Sequence, residues 1–284
     1  MKLLYLGTGA AEGIPALFCE CDVCKKARAA GGKEIRTRAG ALLDGVLKLD
    51  FGPDSYIQMI NNKLDFTYLK SVLITHTHED HFSYADLRLR RRGFANLKDT
   101  TETLTVYGNA QTEPLLDLNQ NCYLDFKRVK TFESFEVEGY TVTPLEAVHC
   151  AGGDGAFPVK LGMKTVYRME EAFIYLIEKD GKALLYGHDT DMLTPDDFRY
   201  LAGKHLDLVS LDCTKGAAAK GYIGHMAAED NLLIRERFLA EGIADEKTVF
   251  VANHFSHNGY TDFADMEKCM PGFVIAYDGL EIEF

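Results

Sequence analysis

The chain has 284 residues, 46% hydrophobic and 26% charged, enough apolar material for one large domain or two small ones. A formal net charge of -12 argues against a generic nucleic-acid binder, which carries a basic face. The N-terminal apolar run Leu3-Leu4-Tyr5-Leu6 is too short for a secretory leader, and no stretch approaches the ~20 apolar residues of a membrane span, so a cytoplasmic protein is expected.

Lys2 to Leu6 reads as a strand entering the loop Gly7-Thr8-Gly9-Ala10-Ala11-Glu12-Gly13. The loop lacks the Gly-Lys-Ser/Thr of a phosphate loop and the third glycine of a dinucleotide site, and is expected to be a tight turn under an active site. Three of the seven cysteines follow in Cys19-Glu20-Cys21-Asp22-Val23-Cys24. In a reducing compartment that density means metal ligation, and three thiolates need a fourth ligand to close a tetrahedral zinc site. A zinc-pinned loop is therefore expected at about 10–39. Ala41–Asp50 holds two strands around an Asp44-Gly45 hairpin turn, and Pro53 can open a helix over Asp54–Asn61.

Val72-Leu73-Ile74 is a buried strand that feeds Thr75-His76-Thr77-His78-Glu79-Asp80-His81, where three of the nine histidines fall within six residues. The two-residue period of a strand puts His76 and His78 on one side. After the turn, Asp80 and His81 face a second point, while Glu79 is expected to point away. Imidazole with carboxylate suits Zn, Mn or Fe. Tyr84–Arg92 is expected to be helical; its Arg88, Arg90, Arg91 and Arg92 form either a solvated face or a phosphate clamp beside the metals.

Further on, Leu104–Val106 is a strand, Thr112–Leu118 a helix, and Phe126–Val148 a β-meander turning at Glu138-Gly139 and ending at His149. Cys150–Glu170 has no clear period and reads as a functional loop or lid. Phe173–Glu178 and Lys182–Tyr186 form a hairpin running into Gly187-His188-Asp189-Thr190, followed by a helix over Asp196–Ala202. Leu206–Leu211 is a strand ending in Asp212-Cys213-Thr214. Gly224-His225-Met226 precedes a helix over Ala227–Ala240 whose Leu232, Leu233 and Phe238 are expected in the core. Thr248–Ala252 is a strand ending in Asn253-His254-Phe255-Ser256-His257, and a last helix and the strand Phe273–Tyr277 close the chain. No linker or internal repeat is visible. His76/His78, His149, Asp189 and His254 all lie just past strand ends, so residues distant in sequence can converge.

Jointly, His76-x-His78-x-Asp80-His81, His149, Asp189 and His254, with Leu6-Gly7-Thr8-Gly9 and Leu49-Asp50-Phe51-Gly52, resemble the metallo-β-lactamase superfamily over essentially the whole chain. The resemblance implies an α/β (α+β) fold, a four-layer αββα sandwich forming a single domain over 1–284, with a two-metal site at one edge of the sheets. It implies that His76, His78 and His149 hold one divalent ion and Asp80, His81 and His254 a second, with Asp189 bridging and a hydroxide between the ions as nucleophile. Asp80 would accept a hydrogen bond from that hydroxide while ligating its metal. Aspartate at 189, where β-lactamases typically have cysteine, fits hydrolases of phosphodiesters and some lactones.

Within the superfamily, Cys19-x-Cys21-x-x-Cys24 with His257 three residues after His254 looks like the phosphoribosyl cyclic phosphodiesterases of the carbon–phosphorus lyase pathway. That likeness implies a structural zinc on Cys19, Cys21, Cys24 and His257. Asp212-Cys213-Thr214 with Gly224-His225-Met226 is similar to the phosphodiesterase branch that includes the tRNA 3′-processing endonucleases, and implies His225 as general acid oriented by Asp212. The expectation is a metal-dependent phosphodiesterase of a small anionic substrate, foremost a cyclic one, with no membrane or nucleic-acid partner, as monomer or homodimer. Three alternatives stay open: a lactone or thioester hydrolase on the same metals, a tRNA-processing nuclease, and a non-catalytic accessory domain like the coenzyme pyrroloquinoline quinone biosynthesis protein B. The acidic charge and the missing substrate-gripping arm argue against the nuclease.

Overall fold

A computed structural model describes residues 1–99, 101–116, 118, 122–149, 171–218, 223–259 and 261–284 in full, and the backbone of 157–161 and 164–168. The layering begins in the first strand, β1 (Lys2–Gly7). Its Leu3 and Tyr5 enter a core between two sheets, while Leu4 and Leu6 enter a second core on the outer face. The same alternation, with period two, runs through β2 (Gly40–Leu43), β3 (Leu47–Leu49), β4 (Ser71–Leu73), β5 (Leu104–Gly108) and β6 (Leu124–Arg128). In β4 and the residue after it, Leu73 faces inward and Val72 and Ile74 outward.

The second sheet is built from β7 (Phe135–Val137), β8 (Tyr140–Glu146), then, after a separate hairpin of β9 (Phe157–Leu161) and β10 (Lys164–Arg168), β11 (Phe173–Lys179), β12 (Lys182–Gly187), β13 (Leu208–Asp212), β14 (Val249–Asn253) and β15 (Val274–Ile275). β16 (Glu281–Glu283) returns to the first sheet, antiparallel to β1. Phe173, Tyr175 and Ile177 of β11 face the inter-sheet core; Ile174 and Leu176 face the outer one. Tyr5 donates its hydroxyl to Ser210 Oγ at 2.9 Å and Tyr175 to Ile74 O at 2.6 Å, tying the sheets together. The helices α1 (Asp22–Ala30), α2 (Ser55–Asn61), α3 (Tyr84–Leu87), α4 (Thr112–Leu116), α5 (Pro195–Leu201), α6 (Ala228–Ala240) and α7 (Phe263–Cys269) flank them, giving the expected αββα arrangement. Among the described residues, no helix is long and apolar enough to cross a membrane.

Strand direction sets the position of the site. β8, β12, β13, β14 and β15 run the same way, so the chain leaves four of them at one edge carrying His149, Asp189, Asp212 and His254. The end of β4 meets that edge, where Phe173 N donates to Thr75 O at 2.9 Å. A side chain at Gly52 would strike Asp80 O at 2.0 Å, so glycine there lets the Phe51–Gly52 backbone lie directly under the histidine loop.

Several expectations change. The helix after the histidine cluster ends at Leu87; Arg91 bridges to Cys122, so Arg90, Arg91 and Arg92 lie beyond it. The meander divides: β6 closes one sheet and β7 and β8 open the other. Part of the stretch read as irregular forms the β9–β10 hairpin; the lid reading concerns residues otherwise outside the described set. In α6, Leu233 is 46% exposed and Ile234 takes the core position, because Ile234 shares the 230/231/234/238 stripe with Phe238. The strand β16 was missed, although Glu281-Ile282-Glu283 alternates.

Lys48 is fully buried on β3, its Nζ donating to Asp50 O at 2.5 Å, and a side chain at Gly40 would press on that Nζ at 3.0 Å. Burial lowers its pKa from 10.5 to about 8, against the opposing pull of Asp50. The folded state therefore binds that proton less readily than the unfolded chain, so stability rises between pH 8 and 10.5, by about 3 kcal/mol in all. Lys48→Met is expected to be more stable than wild type at pH 7, by up to ~3 kcal/mol. The gap in urea midpoints should close as pH rises toward 10.5, and a gap independent of pH would show that burial of charge is not the cause.

Candidate active site

Three histidines at this edge have one ring nitrogen committed to the protein. His81 Nδ1 donates to Asp50 Oδ2 at 2.7 Å, His76 Nδ1 pairs with Thr75 Oγ1 at 3.0 Å, and His254 Nδ1 pairs with Thr214 Oγ1 at 2.8 Å. Asp50 in turn accepts from Thr75 N at 2.8 Å. These contacts aim the Nε2 atoms at one carboxylate. Asp189 Oδ2 lies 3.2 Å from His76 Nε2, 3.1 Å from His81 Nε2 and 3.9 Å from His254 Nε2. On the other side His149 Nδ1 lies 2.9 Å from Asp189 Oδ1, while its Nε2 is 2.9 Å from His78 Nδ1. Asp80 Oδ2 is 3.2 Å from His81 Nε2. His78 is the exposed member of the cluster.

The donor set can be tested for a metal on its own chemistry. His76 Nε2 and Asp189 Oδ1 are buried without a hydrogen-bond partner, so neither nearby ring is aligned for one. His81 Nε2 and His254 Nε2 face each other at 3.2 Å, although the Nδ1 atom of each is already taken. When both rings are neutral and protonated at Nδ1, their Nε2 lone pairs point at each other and repel unless a cation stands between them. The ligand atoms form two groups, His76–His78–His149–Asp189 and Asp80–His81–Asp189–His254, each spanning no more than 4.8 Å and sharing Asp189. This arrangement fits two divalent ions.

The protein's own charges respond to the crowding. Burial drives His76 down to about 4, with His81 adding to the effect. Burial opposes ionisation of Asp189, yet His149, His225 and His254 hold it well below the usual carboxylate range. His81 is raised despite burial, because Asp80 and Asp50 flank it. Asp50, Asp189 and His254 adopt left-handed backbone at φ 55°, 54° and 60°, conformations that non-glycine residues hold only under surrounding constraint.

His225 stands beside this cluster. Its Nδ1 is 3.1 Å from Asp212 Oδ2 and 3.2 Å from Asp189 Oδ1, and its ring stacks on His254 at 5.8 Å. Burial disfavours its charge, but Asp189 and Asp212 outweigh that and push it up to about 9. Asp212 is held by Thr214 N at 3.0 Å and Met226 N at 2.9 Å. A pocket of about 270 Å³ opens over these groups, lined among others by Glu12, His78, Asp80, His149, His225 and His254. Asp189, Asp212, His225 and His254 also form a compact group of their own, so the geometry permits His225 as a ligand as well as an acid.

The cysteines also assemble. Cys19 Sγ and Cys21 Sγ lie 3.4 and 3.6 Å from His257 Nδ1, and Cys19, Cys21, Cys24 and His257 form a fourth group within 4.8 Å. The arginine run is not brought to the pocket. Among the described residues Arg88, Arg90, Arg91 and Arg92 are absent from its lining; Arg88 lies over Tyr84, Arg91 over Phe94, and Arg90 lines a separate apolar cavity. A cation near the site, Arg38, lines an adjoining groove with His78, Glu79 and Asp80 while bound to Asp54 and Ala11 O. Glu79 is exposed and belongs to neither ligand group. Sequence reasoning missed Asp50, Thr75, Thr214, Glu12 and Arg38; only Asp50 had a signal, its place in the strand-end motif.

A family model described as "Beta-lactamase superfamily domain" matches residues 49–241, about two thirds of the chain. The chain belongs to the β-lactamase superfamily. Its His/Asp cluster is compatible with a dinuclear metal site. Among solved structures, this superfamily member is similar to a diphosphatase from the PhnP family, with 22% identity and a TM-score of 0.71 over 100% of this chain and 97% of that one. It is also similar to zinc-bound PqqB from Methylobacterium extorquens (21%, 0.70, all of both chains) and to human tRNase Z, short form (16%, 0.63, 100% and 99%). At these identities the likeness is one of fold. A curated octanoyltransferase of Porphyromonas gingivalis is 28% identical over 180 residues, 58% of this chain; the match spans only a third of that protein's length.

Proposed function

We propose that this protein is a metal-dependent phosphodiesterase acting on a small phosphodiester, foremost a cyclic one. The observation that carries the reading is Asp189 shared between two histidine-rich groups, with the His225–Asp212 pair opening into the same pocket. His76, His78, His149 and Asp189 would hold one divalent ion, and Asp80, His81, His254 and Asp189 the other. Such a pair supplies Lewis acidity to phosphoryl oxygens and makes water acidic enough to attack at neutral pH. The protein's part is orientation and proton handling. Thr75, Asp50 and Thr214 fix the ligand rings. His225, oriented by Asp212, gives its proton to the departing alkoxide. Two structural relatives bear names of hydrolysis at phosphorus, a diphosphatase and a tRNase, which supports this class.

Cys19, Cys21, Cys24 and His257 form the donor set of a closed structural zinc site that pins the 10–39 loop, since all four positions of a tetrahedron are protein ligands. The match to an octanoyltransferase favours, as a second reading, hydrolysis of an acyl thioester or lactone on the same residues. Assaying bis-p-nitrophenyl phosphate beside an acyl thioester and a lactone separates the two. Turnover of the phosphodiester is expected; turnover of acyl substrates alone would reverse the assignment.

A further inference from the structure

His254 of the active-site group and His257 of the cysteine group sit three residues apart on one segment. The glycine-rich loop of residues 7–13 lies along it, with Phe255 N donating to Thr8 O and Ala10 N to Phe255 O, both at 2.9 Å. At the end of that loop, Glu12 turns its carboxylate onto the segment. It accepts from Ser256 Oγ and, at 3.5 Å, from Asn258 Nδ2. The same oxygen is 3.5 Å from His257 Nε2, the ring nitrogen opposite the one that faces Cys19 and Cys21. Glu12 also lines the pocket over His78, Asp80 and His225.

We propose that Glu12 is a positioning residue that couples the two clusters, orienting His257 through its outer nitrogen and holding the 256–258 chain so that His254 stays directed at Asp189. A ligating imidazole whose second N–H rests on a carboxylate is locked in tautomer and orientation and made more basic, and loss of such a partner costs ~10–100-fold in metal affinity. His254 adds a need of its own: its left-handed backbone persists only while neighbours constrain it. Thr8 and Glu12 supply that constraint from one loop, so the glycine-rich segment serves as a clamp on two ligands.

The inference rests on the cysteine group being a metal site, and the experiment separates the two. Zinc-loaded wild type, Glu12→Ala and Cys21→Ser/Cys24→Ser are mixed with a chromogenic chelator, and the release phases are resolved; cobalt-loaded samples are followed by thiolate-to-cobalt absorption. Wild type is expected to release one ion that the double variant lacks. In Glu12→Ala that phase should quicken ~10–100-fold, its cobalt band should shift, and the release of the active-site ions should quicken as well. Equal metal content in wild type and the double variant refutes the cysteine site. An intact cysteine phase with an unchanged rate in Glu12→Ala refutes the role of Glu12. Faster cysteine-site release with unaltered active-site release refutes the coupling. If Glu12→Ala does not fold, Glu12→Asp, which keeps the charge but withdraws it by one methylene, carries the same readouts, and unchanged release there overturns the proposal.

Discussion

Replacing Asp189 by alanine is expected to remove at least one metal ion per chain and to lower hydrolysis of a reporter phosphodiester by more than the ~10²–10³-fold that loss of a single preorganised contact costs. The expectation follows from its position. Asp189 is buried, shared by both ligand groups, and approached by five histidine rings within 3.9 Å. Without it the rings keep their second-nitrogen partners but lose the one carboxylate on which both groups converge. Asp189→Asn is the companion variant, since it keeps the shape while removing the charge. Metal analysis of the purified proteins beside initial rates decides the matter. Full metal content with undiminished turnover in Asp189→Ala would reduce the residue to an ordinary buried acid.

His225→Ala should separate chemistry from metal binding. Turnover is expected to fall ~10²–10⁴-fold, the usual worth of a positioned proton donor, with metal content as in wild type. The loss should appear in kcat for a substrate with a poor leaving group and shrink for p-nitrophenolate, which departs without a proton. His225 also stands in a compact group with Asp189, Asp212 and His254, so a specific contrary result exists. If the variant loses an ion, His225 is a ligand. Asp212→Asn should follow His225→Ala in direction but with a smaller effect, because Asp212 acts through the imidazole it holds at 3.1 Å.

The candidate ligands were legible because two simple regularities expose them. Apolar runs such as Val72-Leu73-Ile74 announce strands, and a histidine or aspartate directly past a strand end has nowhere to be but at a sheet edge. The partners of those ligands were not legible. Thr75, Thr214 and Glu12 look like any polar residue in a turn, and only the folded backbone shows Thr214 Oγ1 reaching His254 Nδ1 across forty residues. The arginine run failed for a related reason: four charges in five positions say nothing about direction, and the chain turns at Leu87 and places them away from the pocket. The exchange of Leu233 for Ile234 reflects a helix whose inner stripe is partly polar, with Asp230 and Asn231 buried, so hydrophobicity alone misjudges its phase.

No internal repeat is visible in the sequence, yet each sheet repeats one plan: three antiparallel pairings followed by three parallel ones, in the order β16-β1-β2-β3-β4-β5-β6 and again in β7-β8-β11-β12-β13-β14-β15. Each parallel pairing is made by a crossover through a helix, whereas only β2–β3, β7–β8 and β11–β12 among the antiparallel ones are tight hairpins, so the plan recurs without shared connections or any shared residue pattern.

The outermost strand of the first sheet has a consequence for biogenesis. β16 pairs Glu283 with Lys2, and Phe284 N reaches Met1 O at 3.0 Å. On the ribosome, the N-terminal half emerges first, but its β1 edge stays an unsatisfied row of amides and carbonyls until residues 281–283 have been made. For that interval the nascent chain carries an open strand edge, the kind of surface that pairs with a neighbouring chain. The charged Lys2 is the gatekeeper on β1 while the edge waits, and with Glu281 and Glu283 it becomes the exposed rim of the finished sheet.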